Sequence, residues 1–154
     1  MRRALVLLVI ATLGATSTAD APLELQGLDG APVALGPPHD DAVLVVHFWA
    51  TWCPSCRGEI DALDEAARAC DGTRVRVVAV NAGEDVETVN AFLAGHPLQL
   101  AVLRDVDARA FRHLAGREMP MNAIWTASER SIEPGSRGLA DWRTRLTALG
   151  CRAP

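Results

Sequence analysis

Apolar and polar residues follow two different periods along this chain, and the change between them predicts where strands and helices lie. Short alternating stretches and short unbroken apolar runs predict strands. Longer stretches with apolar residues three and four positions apart predict helices. The predicted strands are residues 23–25, 33–35, 43–49, 74–80, 98–103, 122–126 and 131–138, and the predicted helices are residues 54–70, 86–94, 108–114 and 141–149.

Turn and end signals connect these elements. Asp29-Gly30 lies between the first two strands, which predicts an N-terminal β-hairpin. The third strand, the helix after it and the next strand follow one another directly, which predicts a parallel crossover and an α/β fold. Pro134-Gly135 makes the last strand irregular and favours a place at the edge of the sheet. Asp141 is expected to cap the last helix, which Gly150 ends.

The segment Trp52-Cys53-Pro54-Ser55-Cys56 stands at the junction between the third strand and the first helix. Pro54 suits the first position of a helix, so Cys53 is expected at the N-cap or in the first turn. Unpaired N–H groups and the helix dipole stabilise an anion there, which predicts a lowered pKa for the Cys53 thiol. A thiolate at this place can attack a disulfide, and Cys56, one turn further on, can resolve the mixed disulfide.

Other chemistries also use a Cys-x-x-Cys pair. A structural zinc site needs a second pair of ligands, whereas Cys70 and Cys151 are single and far apart in the sequence. A haem attachment site needs histidine after the second cysteine, and Arg57 stands there. A copper-binding assembly factor that uses the two sulfurs as soft ligands stays open. We favour a redox pair over a metal site.

Residues 48–59, with the sequence Phe-Trp-Ala-Thr-Trp-Cys-Pro-Ser-Cys-Arg-Gly-Glu, resemble the thioredoxin superfamily and most resemble its periplasmic TlpA/ResA-like branch. This resemblance implies a thioredoxin-like three-layer sandwich with a mixed central sheet. The helix and strand predicted after Asn81 are similar to the central insertion of that branch. The resemblance also implies a thiol–disulfide oxidoreductase that needs no cofactor and reduces substrates in cytochrome c maturation or a related assembly pathway, fed by a membrane electron donor.

The same resemblance implies roles for further residues. Pro120 matches a cis-proline counted with the catalytic residues, and the backbone of Met119 before it would pair with a substrate strand. Trp52 is expected to flank the cysteines and contact substrate. Glu59 matches a recurrent acid, and His47 stands where thioredoxins carry a buried acid, so both are expected to tune the thiols together with Trp52. A purely structural place for Glu59 and for His47 stays open.

Two further cysteines are assigned by the expected fold. In a thioredoxin-like protein the first and last helices cover the same sheet face, and both end away from the active site. Cys70 and Cys151 stand at these two ends, so the resemblance predicts a structural disulfide between them. Two separate thiols are the alternative.

The start of the chain has the features of a secretory signal peptide. Arg2-Arg3 precedes an apolar stretch at residues 4–13, and the small residues Ser17-Thr18-Ala19 follow. We expect residues 1–19 to be removed near Ala19, leaving a periplasmic or secreted thioredoxin-like domain at residues 20–154. A membrane anchor that is not cleaved is the alternative.

Charge narrows the set of partners. The chain has 15 Lys+Arg and 19 Asp+Glu residues and a formal net charge of −4, so it has no basic surface suited to nucleic acid. We expect a monomer whose partners are protein thiols and disulfides. Because the dipeptide Pro54-Ser55 does not set the reduction potential, a periplasmic dithiol oxidase or isomerase is the alternative to a reductant.

Overall fold

The computed structural model describes residues 21–153, so the predicted signal peptide lies outside the described residues. The strands are β1 (Leu23–Gln26), β2 (Pro32–Leu35), β3 (Val43–Trp49), β4 (Val75–Ala82), β5 (Ala101–Asp105), β6 (Met121–Trp125) and β7 (Arg130–Pro134). The helices are α1 (Pro54–Ala67), α2 (Val86–Gly95), α3 (Arg109–His113) and α4 (Leu139–Leu149), and a 3-10 turn at Arg68–Cys70 extends α1.

The seven strands form one mixed sheet in the order β2-β1-β5-β4-β3-β6-β7. Strand β4 runs parallel to both β3 and β5, while β6 pairs antiparallel with β3 and β7. The hairpin of β1 and β2 joins the sheet antiparallel to β5. The parallel crossover and the N-terminal hairpin are confirmed, and β5 of the central insertion connects the hairpin to the rest of the sheet.

Helices cover both faces of this sheet, as a three-layer sandwich requires. Alternate residues of β3 separate the two faces. Val45 packs with α1 and α4, whereas Val46 and Phe48 pack with α3 and the hairpin. Trp49 packs on the same side as Val45, in a cluster with Cys53, Cys56 and the α2 residue Val89. His47 lies between Val45 and Trp49 in the alternation, so its side chain faces α1.

Several predicted boundaries differ from the structure. The strand predicted from residue 98 begins at Ala101, because the backbone N–H groups of Gln99 and Leu100 donate to Asp64 of α1 instead of to a neighbouring strand. The last strand ends at Pro134, where Gly135 adopts a φ of 90° and turns the chain. Strand β7 is at the edge of the sheet, as predicted.

The predicted cap of the last helix is wrong. Helix α4 begins at Leu139 with Gly138 at the N-cap, and Asp141 lies in its first turn. The earlier start places Leu139 against the apolar cluster between α1, α4 and the sheet, and the backbone N–H of Trp142 donates to Gly138. Asp141 still lies where a negative charge favours a helix dipole.

Candidate active site

The two cysteines of the Cys-x-x-Cys segment form a disulfide at the start of α1. The S–S distance is 2.06 Å and the Cα atoms are 5.3 Å apart. Cys53 is the N-cap residue, and its sulfur accepts a hydrogen bond of 3.2 Å from the backbone N–H of Cys56. A sulfur that accepts from a free N–H of the first helical turn lies where a thiolate would be stabilised after reduction.

Burial distinguishes the surroundings of the two sulfurs. Cys56 is fully buried and Cys53 is 4% exposed, while the neighbouring Trp52 is 67% exposed. Trp49, at the end of β3, is fully buried, and its ring centroid is 5.1 Å from that of Phe92 in α2. The pair is therefore almost fully covered and lies on an apolar base, next to a large exposed aromatic side chain in the sequence.

A carboxylate holds the turn that precedes Cys53. Glu84, between β4 and α2, accepts from the backbone N–H of Thr51 at 2.7 Å and from its hydroxyl at 2.5 Å. It also accepts from Asn81 Nδ2 at 2.6 Å. Glu84 could not be recognised from the sequence, because an acid in a loop after a strand does not indicate its partner 33 residues away.

A buried polar cluster lies between the sheet, α1 and α4. His47 Nδ1 and Asn122 Oδ1 are 2.8 Å apart, and Asn122 Nδ2 donates to Glu59 Oε1 at 3.2 Å. Trp142 Nε1 donates to the same carboxylate oxygen at 3.1 Å. All four side chains are buried, with Glu59 1% exposed and the other three fully buried. The structure thus brings the predicted residues His47 and Glu59 together and adds Asn122 and Trp142, which sequence analysis missed.

Burial shifts the pKa values of His47 and Glu59 in the directions that favour the neutral form of each side chain. Burial lowers the pKa of His47 to about 4, with the hydrogen bond to Asn122 opposing the shift and the charge of Arg137 adding to it. Burial raises the pKa of Glu59, and the hydrogen bonds from Asn122 and Trp142 and the nearby Arg137 oppose it. At neutral pH His47 is therefore uncharged.

Met119 and Pro120 lie beside the redox pair. The peptide bond between them is cis, Pro120 is buried, and Met119 packs partly buried against the cluster that contains both sulfurs. The chain enters β6 immediately after them. Glu118, just before them, is exposed.

The remaining cysteines form a second disulfide. The S–S distance between Cys70 and Cys151 is 2.02 Å, and the bond links positions 81 residues apart. It joins the end of the 3-10 turn after α1 to the residue that follows Gly150, and the backbone N–H of Arg152 donates to Ala69 beside it.

Other histidines lie apart from this site. His39, His96 and His113 are all exposed. No group of three or more His, Cys, Asp or Glu side chains suited to a metal ion occurs within residues 21–153.

The fold and the site together define a thioredoxin-like protein with a Cys-x-x-Cys disulfide at the start of a helix. A model of the AhpC/TSA family matches residues 18–131, and the chain belongs to that family. The chain is also similar to thioredoxin-superfamily proteins that carry the name thiol–disulfide oxidoreductase, so the resemblance inferred from residues 48–59 is confirmed.

Individual relatives are similar over part of their length. Soluble secreted antigen MPT53 of Mycobacterium tuberculosis is 29% identical over 93 residues, which are 60% of this chain and 46% of that protein. Thiol-disulfide oxidoreductase ResA of Bacillus subtilis is 31% identical over 62 residues, which are 40% of this chain and 35% of ResA. The matched stretch therefore spans less than half the length of each of these relatives.

Solved structures are similar over nearly their whole length. The structure of MTB dsbF has a TM-score of 0.75 and 24% identity, covering 87% of this chain and 99% of that one. A secreted Mycobacterium tuberculosis disulfide oxidoreductase homologous to E. coli DsbE has a TM-score of 0.73 and 21% identity, covering 86% of this chain and 99% of that one. At these identities the two structures show a shared fold.

Proposed function

We propose that this protein is an exported thiol–disulfide oxidoreductase. The observation that carries the proposal is the Cys53–Cys56 disulfide, whose first sulfur accepts an N–H of the opening turn of α1. Its relatives support the same activity, since ResA is named a thiol–disulfide oxidoreductase and one structural neighbour a secreted disulfide oxidoreductase.

The two cysteines have different tasks in the proposed reaction. In the reduced protein the Cys53 thiolate attacks one sulfur of a substrate disulfide, which forms a mixed disulfide and releases the other substrate sulfur as a thiolate that takes a proton from water. Cys56 loses its proton and attacks Cys53. This second exchange releases the reduced substrate and forms the Cys53–Cys56 disulfide present in the structure. A reductant must then supply two electrons and two protons to restore the dithiol.

Nearby residues are proposed to dock the substrate and to tune the sulfurs. Trp52 is exposed beside Cys53, and Met119 packs against the cluster of both cysteines, so a peptide bound to the backbone near Met119 and Pro120 would reach the reactive sulfur. Glu59 lies one turn after Cys56 on α1, and His47 belongs to the same buried polar cluster as Glu59. We assign these two residues to the exchange of the Cys56 proton.

The proposed location is the periplasm or the exterior, with removal of residues 1–19 near Ala19. Relatives described as secreted support export. No helix within residues 21–153 has the length and apolar content that crossing a bilayer requires. We further propose a reducing direction, with apocytochrome c or another exported protein as substrate and a membrane protein as electron donor.

Insulin reduction tests the activity. The mature protein with dithiothreitol should accelerate insulin precipitation, and C53S should abolish the acceleration. C56S should stop turnover and leave Cys53 joined to the substrate in a stable mixed disulfide, detectable by non-reducing electrophoresis. A protein that leaves insulin intact and binds Cu(I) tightly through the two cysteines would overturn the proposal in favour of a copper-binding assembly factor.

The reduction potential tests the direction. Equilibration of the C70A/C151A variant with glutathione buffers should give a potential near that of thioredoxin, about −270 mV. A value near about −120 mV would contradict the reducing role and indicate a dithiol oxidase.

A further inference from the structure

The hydrogen-bond donors and acceptors in the buried cluster determine one another. Trp142 Nε1 can only donate, so Glu59 Oε1 accepts from it at 3.1 Å. The same oxygen also accepts from the amide NH₂ of Asn122 at 3.2 Å. The amide of Asn122 therefore has its nitrogen towards Glu59 and its oxygen towards the imidazole.

This orientation selects the tautomer of the imidazole. The amide oxygen of Asn122 can only accept, so the proton in the 2.8 Å contact belongs to Nδ1 of His47. A neutral imidazole carries one N–H, so Nε2 carries a lone pair. Nε2 is buried and has no hydrogen-bond partner within residues 21–153, which leaves its lone pair available for a proton.

We propose that Asn122 is a positioning residue that holds His47 as the Nδ1–H tautomer and joins it to Glu59 as one proton-exchanging unit. The inference rests on the proposed oxidoreductase function, and α1 links the unit to the cysteine pair, because Glu59 lies one turn after Cys56 on that helix. No other residue contacts both ionisable groups through hydrogen bonds within the described part of the chain.

The unit can receive the proton that Cys56 loses as its sulfur attacks. A proton on Nε2 makes the ring a cation, and Nδ1 is 3.9 Å from Glu59 Oε1. Ionised Glu59 stabilises that cation, so the two groups titrate as a pair and not independently. The proton returns to a cysteine sulfur when the disulfide is next reduced.

The charged groups around the unit are few. Glu59 is the ionisable group that α1 contributes. The residues that face it from α4 and β6, Trp142 and Asn122, are uncharged. The loop before α4 contributes Arg137, whose charge lowers the pKa values of His47 and Glu59 and which pairs with Glu133 of β7 at 2.8 Å. Arg137 therefore favours neutral His47 in the resting protein.

Nitrogen NMR on oxidised protein labelled with ¹⁵N-histidine tests the tautomer. The wild type should show a protonated Nδ1 and an unprotonated Nε2 for His47 between about pH 5 and 8. N122L, which removes the acceptor, should lose this preference. N122D retains an acceptor for Nδ1 but cannot donate to Glu59, so it should keep the tautomer and raise the Glu59 titration midpoint by about one pH unit or more, measured by ¹³C carboxyl shifts.

I124V is the matched control, since Ile124 lies on the same strand and the same sheet face without a polar side chain. It should match the wild type in both measurements. The inference would be overturned if His47 of the wild type were protonated on Nε2. It would also be overturned if Glu59 had the same titration midpoint in N122D as in I124V. If N122L does not fold, the tautomer and the Glu59 midpoint measured on N122D are sufficient to test the inference. Because these measurements use oxidised protein without substrate, they separate this inference from the proposed activity, which insulin reduction tests.

Discussion

The charge state of one buried side chain connects acidity to stability. His47 is fully buried, and its pKa in the folded protein is about 4, against 6.5 for an ordinary histidine. The unfolded chain therefore binds a proton at a pH where the folded protein does not. The contribution of His47 is complete above about pH 6.5 and is lost as the pH falls towards about 4.

We predict that H47N removes an acid-sensitive part of the stability. Between about pH 6.5 and 4 the wild type should lose about 3 kcal/mol of unfolding free energy through His47, whereas H47N, which has no titrating ring, should lack this loss. Glu59 acts in the opposite sense, because its raised pKa favours the folded state as the pH falls. Urea unfolding at a series of pH values measures the difference. Parallel curves for both proteins would contradict the prediction.

At the level of elements, two connections hold α1 in place at its two ends. Glu84 binds the turn before α1 to the end of β4. The Cys70–Cys151 disulfide connects the end of α1 to the end of α4. Hydrogen bonds to a carboxylate orient a loop locally, whereas a disulfide restricts the unfolded chain, so the two connections have different experimental consequences.

We predict that E84Q loosens the turn that carries the redox pair. A glutamine replaces charge-assisted hydrogen bonds with neutral ones, and its NH₂ group faces either the Thr51 hydroxyl, which must then accept, or the Thr51 N–H and Asn81, which then lose their acceptor. The expected cost is about 1–3 kcal/mol. Faster amide hydrogen exchange at Thr51 and slower insulin reduction are expected. E87Q, which changes an exposed acid in the first turn of α2, serves as the control. Equal exchange at Thr51 in the two variants would exclude the role of Glu84.

For the second disulfide we expect a stability effect with exchange activity retained. C70A/C151A should lose about 2–4 kcal/mol of unfolding free energy, because the bond closes a long loop in the unfolded chain. Urea unfolding at neutral pH gives the stability, and insulin reduction gives the activity. Loss of activity in a folded variant would show that this bond takes part in the chemistry.

For the whole molecule, the reduction potential of the Cys53–Cys56 pair depends on the difference in folding stability between its disulfide and dithiol forms. The potential and this stability difference therefore measure the same free energy. A folded protein that stabilises its dithiol form is an oxidant, and one that stabilises its disulfide form is a reductant. Residues from α1, α2, β3 and β4 pack around the sulfurs, so the surrounding fold contributes to this preference in addition to the dipeptide between the cysteines.

We predict that the disulfide form of the C70A/C151A variant is more stable than its dithiol form. This variant leaves Cys53 and Cys56 as its only cysteines, so redox buffers change that pair alone. Each 1.4 kcal/mol of difference corresponds to about 30 mV of potential. Urea unfolding with and without reductant measures it, and a dithiol form that unfolds at higher urea would contradict the reducing role.

Local patterns predict this fold well and its buried polar contacts poorly. Period-two alternation, an apolar run and Pro54 are properties of neighbouring residues, so the hairpin, β3 and the start of α1 could be recognised from them. The first residues of β5 and the cap of α4 could not, because Asp64 and the apolar contact of Leu139 decide them from other elements. In the sequence, Asn122 has no feature that distinguishes it from other strand residues, so its contacts with His47 and Glu59 could not be predicted.

The sequence by itself determined that a helix starts at Pro54 with a cysteine at its cap, because proline and the strand before it act over a few bonds. It also indicated the α/β class, since strand and helix periods alternate along the chain. Only the tertiary structure decided which buried polar groups come into contact. His47, Glu59 and Asn122 come from three elements, and their contact exists only after β6 has paired with β3 beneath α1.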